Sequence, residues 1–475
     1  MQKNMSKFYM RLLSVCLAAL VLAACSSSEG GGDDGPTAGQ IPDKAGMTVK
    51  GIVKDSAGNG IAGVVVSDGL EVTATDERGI YYLASDLARR NFVFVSVPAD
   101  CEIPATQGCP RFYRKIDRKQ AVNRADFTLT RRKTPSDRHS LIVMADIQLA
   151  ADNTSVDSYL GHVVPDVLKT VQGLPTEVYG VSLGDLVWND MSLFPKYRQG
   201  LETLGFTTFS LPGNHDHDPA ELTDSLALQS YERYFGPANY SGEEYTIGLT
   251  DEICRWIEAD LRYVPAGSTL VVSSHCPILY HTKNTAARNH RNFQRFLDAI
   301  SPYKVHAFGG HKHYHDIYRY DDGRKVMHCI ARTPGDLFIN GDVNCDGTPR
   351  GYAVVEVDGE RLSWYYKPAG GKRDMQMRLY APGRTNSACV YANVWGYDTA
   401  WSAVEWIPAS GGQAVAMERT QRTDPYYEEV LATGVRGGTP TNTWHMFRVD
   451  PGSERGGMVR VTDSFGHTYE SSVSW

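Results

Sequence analysis

The chain has 475 residues, 42% of them apolar and 22% charged, and a formal net charge of −7 at neutral pH. That length and balance support two or three globular cores. The acidic surplus leaves no basic footprint for nucleic acid, and no nucleic-acid partner is expected.

Lys3, Lys7 and Arg11 precede an apolar run from Leu12 to Leu22. The run is about half the length that spans a bilayer as a helix and has the shape of a signal peptide, assigned to 1–24. Its end, Leu22-Ala-Ala-Cys25, resembles the lipobox of bacterial lipoproteins. The resemblance implies acylation of Cys25 and a membrane partner through that lipid anchor at the bacterial cell envelope; an ordinary signal with a chance cysteine is the plainer alternative. Residues 25–46 read as a flexible tether, since Ser26 to Gly35 contain nothing apolar to bury. An acidic stretch directly after the cysteine is similar to surface-export signals of Bacteroidetes lipoproteins, which implies outer-membrane display. Of nine cysteines, removal of Cys16 and lipidation of Cys25 leave 9 − 2 = 7, so at least one thiol stays unpaired.

Residues 47–132 read as a small β-sandwich. Thr48 to Val53 and Ala62 to Val66 flank the turn-forming Asp55-Ser-Ala-Gly-Asn-Gly60, and Thr75 to Leu83 supplies a further turn and strand. The segment resembles the carboxypeptidase regulatory-like domain, as a spacer or sheet-edge cover or, preferably, a plain structural module. Cys101 and Cys109 share a Pro/Gly-bearing loop and are the expected disulfide in an oxidising compartment, with two unpaired thiols as the alternative. Arg131 to Arg138 is a polar linker, too short and mixed for a nucleic-acid tail.

From 138 to 372 five short polar clusters each follow an apolar run without strict alternation, as strands buried on both faces do. Leu141 to Ala145 leads to Asp146 and Gln148, Val178 to Leu183 to Gly184-Asp185, and Thr207 to Leu211 to Gly213-Asn214-His215-Asp216. Leu270 to Ser274 leads to His275, and Val305 to Phe308 to Gly310-His311-Lys312-His313. Strand ends of this kind gather ligands on one rim of a sheet. Two divalent ions about 3.5–4 Å apart need a shared carboxylate, for which Asp185 is the candidate. Asp146, the amide oxygen of Gln148 and His313 would complete one shell, and Asn214, His275 and His311 the other. This mixed donor set suits Mn, Fe, Zn or Ni, whereas calcium prefers an all-oxygen cage. A water between the ions would lose its proton near neutral pH and attack phosphorus. His215 would protonate the leaving oxygen, with Asp216 orienting its ring.

At these residues the chain resembles the calcineurin-like metallophosphoesterase superfamily, whose blocks D-x-H, G-D, G-N-H-D/E, a lone His and G-H-x-H occur here in that order over about 140 to 370. The resemblance implies an α/β fold, a central two-sheet αββα sandwich, here flanked by an amino-terminal β-sandwich and a carboxy-terminal β-domain. Two departures stand out. Gln148 replaces the usual His, which bears on the first ion. After Tyr240-Ser241 a strand pair found in relatives is missing, expected to leave the middle of the second sheet open unless another segment fills it, or the protein weakly folded.

Strands around Val326 to Ile330, Tyr352 to Val357 and Leu362 to Tyr366 should close this domain, and 374–475 form a Trp- and Tyr-rich β-domain. Its aromatics are read as sandwich core ahead of a sugar platform. Asp342-Val-Asn-Cys-Asp346-Gly347 opens like a calcium loop but has Ala353 where a bidentate acid is required, so it reads as a turn. His281, Arg288, His290 and Arg291 are candidate phosphate contacts, Arg288 and Arg291 foremost. His315 and Asp316 could orient a ligand ring, Arg332 could line the pocket but is read first as part of a structural turn, and His139, His162 and His445 are read as ordinary histidines.

The favoured function is two-metal hydrolysis of a phosphate mono- or diester on the cell envelope, the substrate a phosphorylated small molecule, lipid or glycan. A degenerate lipoprotein that binds phosphorylated glycans or lipids without turnover is the second reading, and a structural envelope protein the third.

Overall fold

The computed structural model describes residues 41–475 apart from 135–136, 152–153, 222, 239–248, 280–290, 321–322, 339–341, 386 and 434–437. The leader with Cys25, the segment after Tyr240 and the candidate contacts His281, Arg288 and His290 lie outside the described residues.

The central region is a pair of facing mixed sheets. The first has the order Thr208–Ser210, Glu177–Ser182, Arg138–Met144, Gly351–Asp358, Arg361–Pro368; its first three strands are parallel and the last two antiparallel. The second runs Thr269–Ser273, Lys304–Gly309, Lys325–Cys329, Asp316–Tyr320, again with three parallel strands and an antiparallel edge. Side chains alternate between two buried environments. Val143, Ala145, Val355 and Trp364 meet Phe308, Val326 and Ile330 between the sheets. Ile142, Met144 and Val354 face outward onto the helices Val164–Gln172, Phe194–Leu204 and Gln229–Phe235. On the far side Val305, Ala307 and Met327 pack against Asp251–Leu261 and Phe293–Ala299. Burial on both faces is why these strands read as continuous apolar runs. This is the αββα sandwich.

The four strands of the second sheet are hydrogen-bonded without a break, Thr269 opposite Lys304 through Ser273 opposite Phe308. The expected gap in its middle is therefore not there; among the described residues Thr269–Ser273 is an unpaired edge, where Val271 is 39% exposed.

The amino-terminal segment forms two sheets around Val49, Val53, Val66, Val93 and Phe127. It does more than stand alongside. Gly108 accepts a hydrogen bond from the Thr208 N–H at the edge of the first central sheet, and Phe112 contacts Phe209. These contacts fit the sheet-edge cover and leave the plain structural module equally open. No disulfide joins Cys101 and Cys109: both are free and buried, Cys101 in the sandwich core and Cys109 in the outer core of the central domain. The residues between them cross from one core to the other, which holds the thiols apart.

The carboxy-terminal region is a second sandwich of two four-stranded sheets. Trp406 lies in its core and Trp395 is fully buried, which accords with core aromatics and not with a sugar platform. Trp401 lies in a turn where a strand was expected, and the helix Pro425–Ala432, capped by the Asp424 carboxylate, was not anticipated. Phe465 meets Trp364 edge to face and closes the end of the inter-sheet core.

Two histidines sit inside that core. His306 Nδ1 lies 3.2 Å from His328 Nε2, and His328 stacks on Phe308. Burial pushes His306 down from 6.5 to about 4 and His328 well below its ordinary value. Between those limits the unfolded chain binds more protons than the folded one, so stability falls as pH drops from 6.5 towards 4. The cost from His306 is on the order of 3 kcal/mol. A His306→Gln/His328→Leu variant should show a flatter acid limb in Tm against pH than the parent; parallel limbs would contradict this assignment.

Candidate metal centre

The backbone singles out the site before any side chain does. Eight non-glycine residues among those described have positive φ, and five of them are Asp146, Gln148, Asp185, His311 and His313, with φ between 46° and 66°. Left-handed backbone costs energy for such residues and collects where structure is held for a purpose. Each follows a parallel strand and turns its side chain back over the sheet rim. Glycines make room: a Cβ on Gly213 would lie 2.2 Å from Asp185 Oδ1, and one on Gly310 2.4 Å from Asp146 Oδ2.

On one side four electron-pair donors converge. His275 Nε2 lies 3.0 Å from Asn214 Oδ1, 3.2 Å from His311 Nδ1 and 3.4 Å from Asp185 Oδ1. His275 Nδ1 donates to the Leu183 carbonyl at 2.9 Å, which aims Nε2 inward as metal-bound imidazoles require. Burial works against charge on His275, but Asp185 and Asp146 raise it to about 9; Asp185, despite its own burial, is held well below the carboxylate range by His275 and His215. Burial and the neighbouring His275 press His311 down to about 4. Oxygen and imidazole donors drawn together in this way fit a divalent cation. Cys276, not anticipated, lies in the same group, its thiol pushed up to about 11 by burial.

On the other side Asp146, Asp185 and His313 place one ligand atom each within 4.8 Å of one another. Asp146 is also anchored by accepting the His311 N–H. Gln148 does not join them as expected. Its Oε1 accepts from Arg332 Nε at 2.8 Å and its Nε2 donates to Asp185 Oδ2 at 2.9 Å. The amide oxygen expected to ligate is turned onto a guanidinium.

Asp216 also differs from expectation. Its buried carboxylate accepts from the N–H groups of Gly213, Leu186 and Val187, and so ties the Asp185 loop to the Asn214 loop. Burial and the Asp185 charge push it up to about 8. The His215 ring is held by Asn189 Oδ1 at 2.9 Å and stacks on Trp188 at a centroid distance of 3.7 Å. Burial lowers the His215 imidazole below its ordinary value. Trp188 and Asn189 were missed; the signal was a polar Trp-Asn-Asp run just beyond Gly184-Asp185, Asn189 itself left-handed. Arg291, a candidate phosphate contact, instead pairs with Asp251 at the start of the Asp251–Leu261 helix.

Behind the His311–His313 loop lies a buried network. Asp346 accepts from the His315 N–H at 2.8 Å and from Thr348, and His445 Nε2 lies 3.0 Å from the His315 carbonyl oxygen, its Nδ1 2.6 Å from Asn393 Oδ1. The turn reading of the 342–347 loop is the one seen, while His445 turns out to brace the site. The His315 ring orients no ligand: it lies tilted against Tyr366, and neither ring nitrogen has a hydrogen-bond partner among the described residues.

A family model described as the N terminal of calcineurin-like phosphoesterase matches residues 47–132, and one described as its C terminal matches 328–469. No curated protein matches. Among solved structures, a purple acid phosphatase from yellow lupin (Lupinus luteus) seeds is similar at 12% identity over 50% of this chain and 52% of that one, with a TM-score of 0.32. The match thus spans about half of the lupin chain. A metallophosphoesterase from Sphaerobacter thermophilus is similar at 17% identity over 49% of this chain and 89% of its own, TM-score 0.25, and a 5'-nucleotidase from Candida albicans at 10% over 50% and 52%, TM-score 0.29.

The Gly213 contact gives a direct test. Gly213→Ala should leave circular dichroism unchanged while the affinity for Mn²⁺, measured by calorimetry, falls about 10- to 100-fold, because the methyl meets both the carboxylate and the backbone N of Asp185 and forces that ligand to shift. Unchanged affinity would show that Asp185 does not hold the ion.

Proposed function

Because this chain belongs to the calcineurin-like metallophosphoesterase superfamily, we propose that it hydrolyses phosphate mono- or diesters at the bacterial cell envelope, with His215 as the general acid. It is a metal-dependent phosphoester hydrolase. The observation that carries the finer reading is the convergence of Asp185, Asn214, His275 and His311 beside a separately held imidazole, His215.

Divalent ions bound there supply Lewis acidity to the phosphoryl group and to the attacking water. The chain's own residues do the rest. Asp185 presents one oxygen towards His275 and the other towards Gln148, between the two halves of the site. His275, fixed through Leu183, and Asn214 would hold the ion that receives the phosphoryl oxygens. His215 stands outside the ligand group, its ring stacked on Trp188 and its Nδ1–H donated to Asn189 Oδ1, so that the protonated, imidazolium form would present Nε2–H to the departing oxygen. The backbone N–H of His215 donates to Asp185 Oδ1 at 2.8 Å, so acid and carboxylate move as one piece.

General acids contribute about 10²–10⁴-fold, chiefly when the leaving group is a poor one. With Mn²⁺ present, His215→Ala should therefore lose about that factor in kcat on an alkyl phosphate ester and far less on a nitrophenyl ester. Equal losses on both would remove His215 from the acid's role. Absence of turnover above an Asp185→Ala/Asn214→Ala variant would sink the hydrolase reading.

The envelope location is supported by the apolar run from Leu12 to Leu22 and the sequence Leu22-Ala-Ala-Cys25. Among the described residues no helix is long and apolar enough to cross a membrane. The chain expressed in a bacterial host should take up labelled fatty acid and sediment with membranes, and Cys25→Ala should do neither. Labelling that survives the substitution would move the anchor elsewhere.

A further inference from the structure

Gln148 is gripped at both ends. Its Oε1 takes a hydrogen bond from Arg332 Nε, and its Nε2 gives one to Asp185 Oδ2. Arg has donors only and a carboxylate acceptors only, so rotating the amide would set N–H against N–H at one end and oxygen against oxygen at the other. The chemistry of its neighbours fixes which way it points. Arg332 is in turn immobilised: it is 2% exposed and donates to the carbonyls of Ile147, Gln148 and Gly335. The next residue, Thr333, bonds to Ala145 through both its backbone N–H and its hydroxyl, which splices this segment onto the Asp146 strand.

The two oxygens of Asp185 therefore have different tasks. Oδ1 faces the His215 N–H and His275, while Oδ2 faces the Gln148 amide. A cation entering beside Asp146 and His313 must compete with that amide hydrogen for Oδ2. To gain the Gln148 oxygen it must also strip it from a guanidinium. Throughout it lies near a buried fixed positive charge, where a low effective dielectric strengthens repulsion. On the His275 side Oδ1 also accepts an N–H, from His215, but no ligand oxygen there has to be taken from a guanidinium.

We propose that Arg332 and Gln148 form a cationic clamp that makes the centre unequal, with one divalent ion held tightly by Asp185, Asn214, His275 and His311 and a second held only weakly beside Asp146 and His313. The clamp supplies part of the positive charge that a second tightly bound ion would bring. Arg332 acts through Gln148 and Asp185 and is a positioning residue. The inference rests on the reading of this cluster as a divalent-ion centre.

The test is ion counting with Mn²⁺ alone. Full-length protein is saturated, dialysed and analysed for metal, and the affinities are measured by calorimetry. The expected result is one retained ion and a second at least about tenfold weaker. Gln148→His, which replaces the turned amide with an imidazole ligand, should retain two. Two ions of like affinity in the parent would overturn the proposal, and so would one retained ion in both proteins. The parent's measurement stands even if the variant does not fold. His275→Ala separates the levels: loss of the tight ion upholds the centre, whereas retention of it would sink the ion-centre reading itself.

Discussion

Asp146, Gln148, Asp185, His311 and His313 all sit in left-handed backbone at the ends of parallel strands, and the rest of the molecule is organised around holding them there. Each such residue costs on the order of 1–3 kcal/mol. The strain is offset locally by hydrogen bonds that admit no alternative. Asp216 binds three N–H groups across two loops, Asp146 takes the N–H of His311, and Thr333 straps the Asp146 strand. Beneath them, cores on both faces of each sheet make the strand ends rigid. These ligand loops do not wait for ions to assemble them; hydrogen bonds and rigid strand ends shape them first.

Much of the site was legible because its residue types repeat a pattern at strand ends. Asp185, Asn214, His275 and His311 needed only the order of their blocks along the chain. The αββα arrangement was legible for the same reason, with apolar runs too continuous for half-buried strands. The roles of neighbours were not. Asp216 follows His215 in sequence, and adjacency suggested a pair; in space its carboxylate points to Leu186 and Val187, about thirty residues earlier. Arg332 lies 184 residues beyond Gln148, and no local pattern announces that the two will touch. Cys101 and Cys109 were linked by spacing alone, which says nothing about which core each thiol enters.

The flanking sandwiches are likewise part of the central domain's packing. One caps a sheet edge through the Gly108–Thr208 hydrogen bond, which pairs an edge N–H that would otherwise stand open. The other places Phe465 against Trp364 at the end of the inter-sheet core. The edge formed by Thr269–Ser273 has no such cover among the described strands, and Val271 remains partly open.

His445 belongs to the carboxy-terminal sandwich, yet its ring touches the carboxylate of Asp346 and the carbonyl of His315, which lies two residues past the last ligand, His313. The domain boundary drawn along the chain is therefore not a boundary in function. A lesion in the last sandwich would score in a genetic screen as an active-site defect, and a gene fragment ending near residue 372 would encode an intact ligand list without the brace behind it. Shuffling of these segments between proteins is constrained accordingly: the central and terminal parts have to be inherited together.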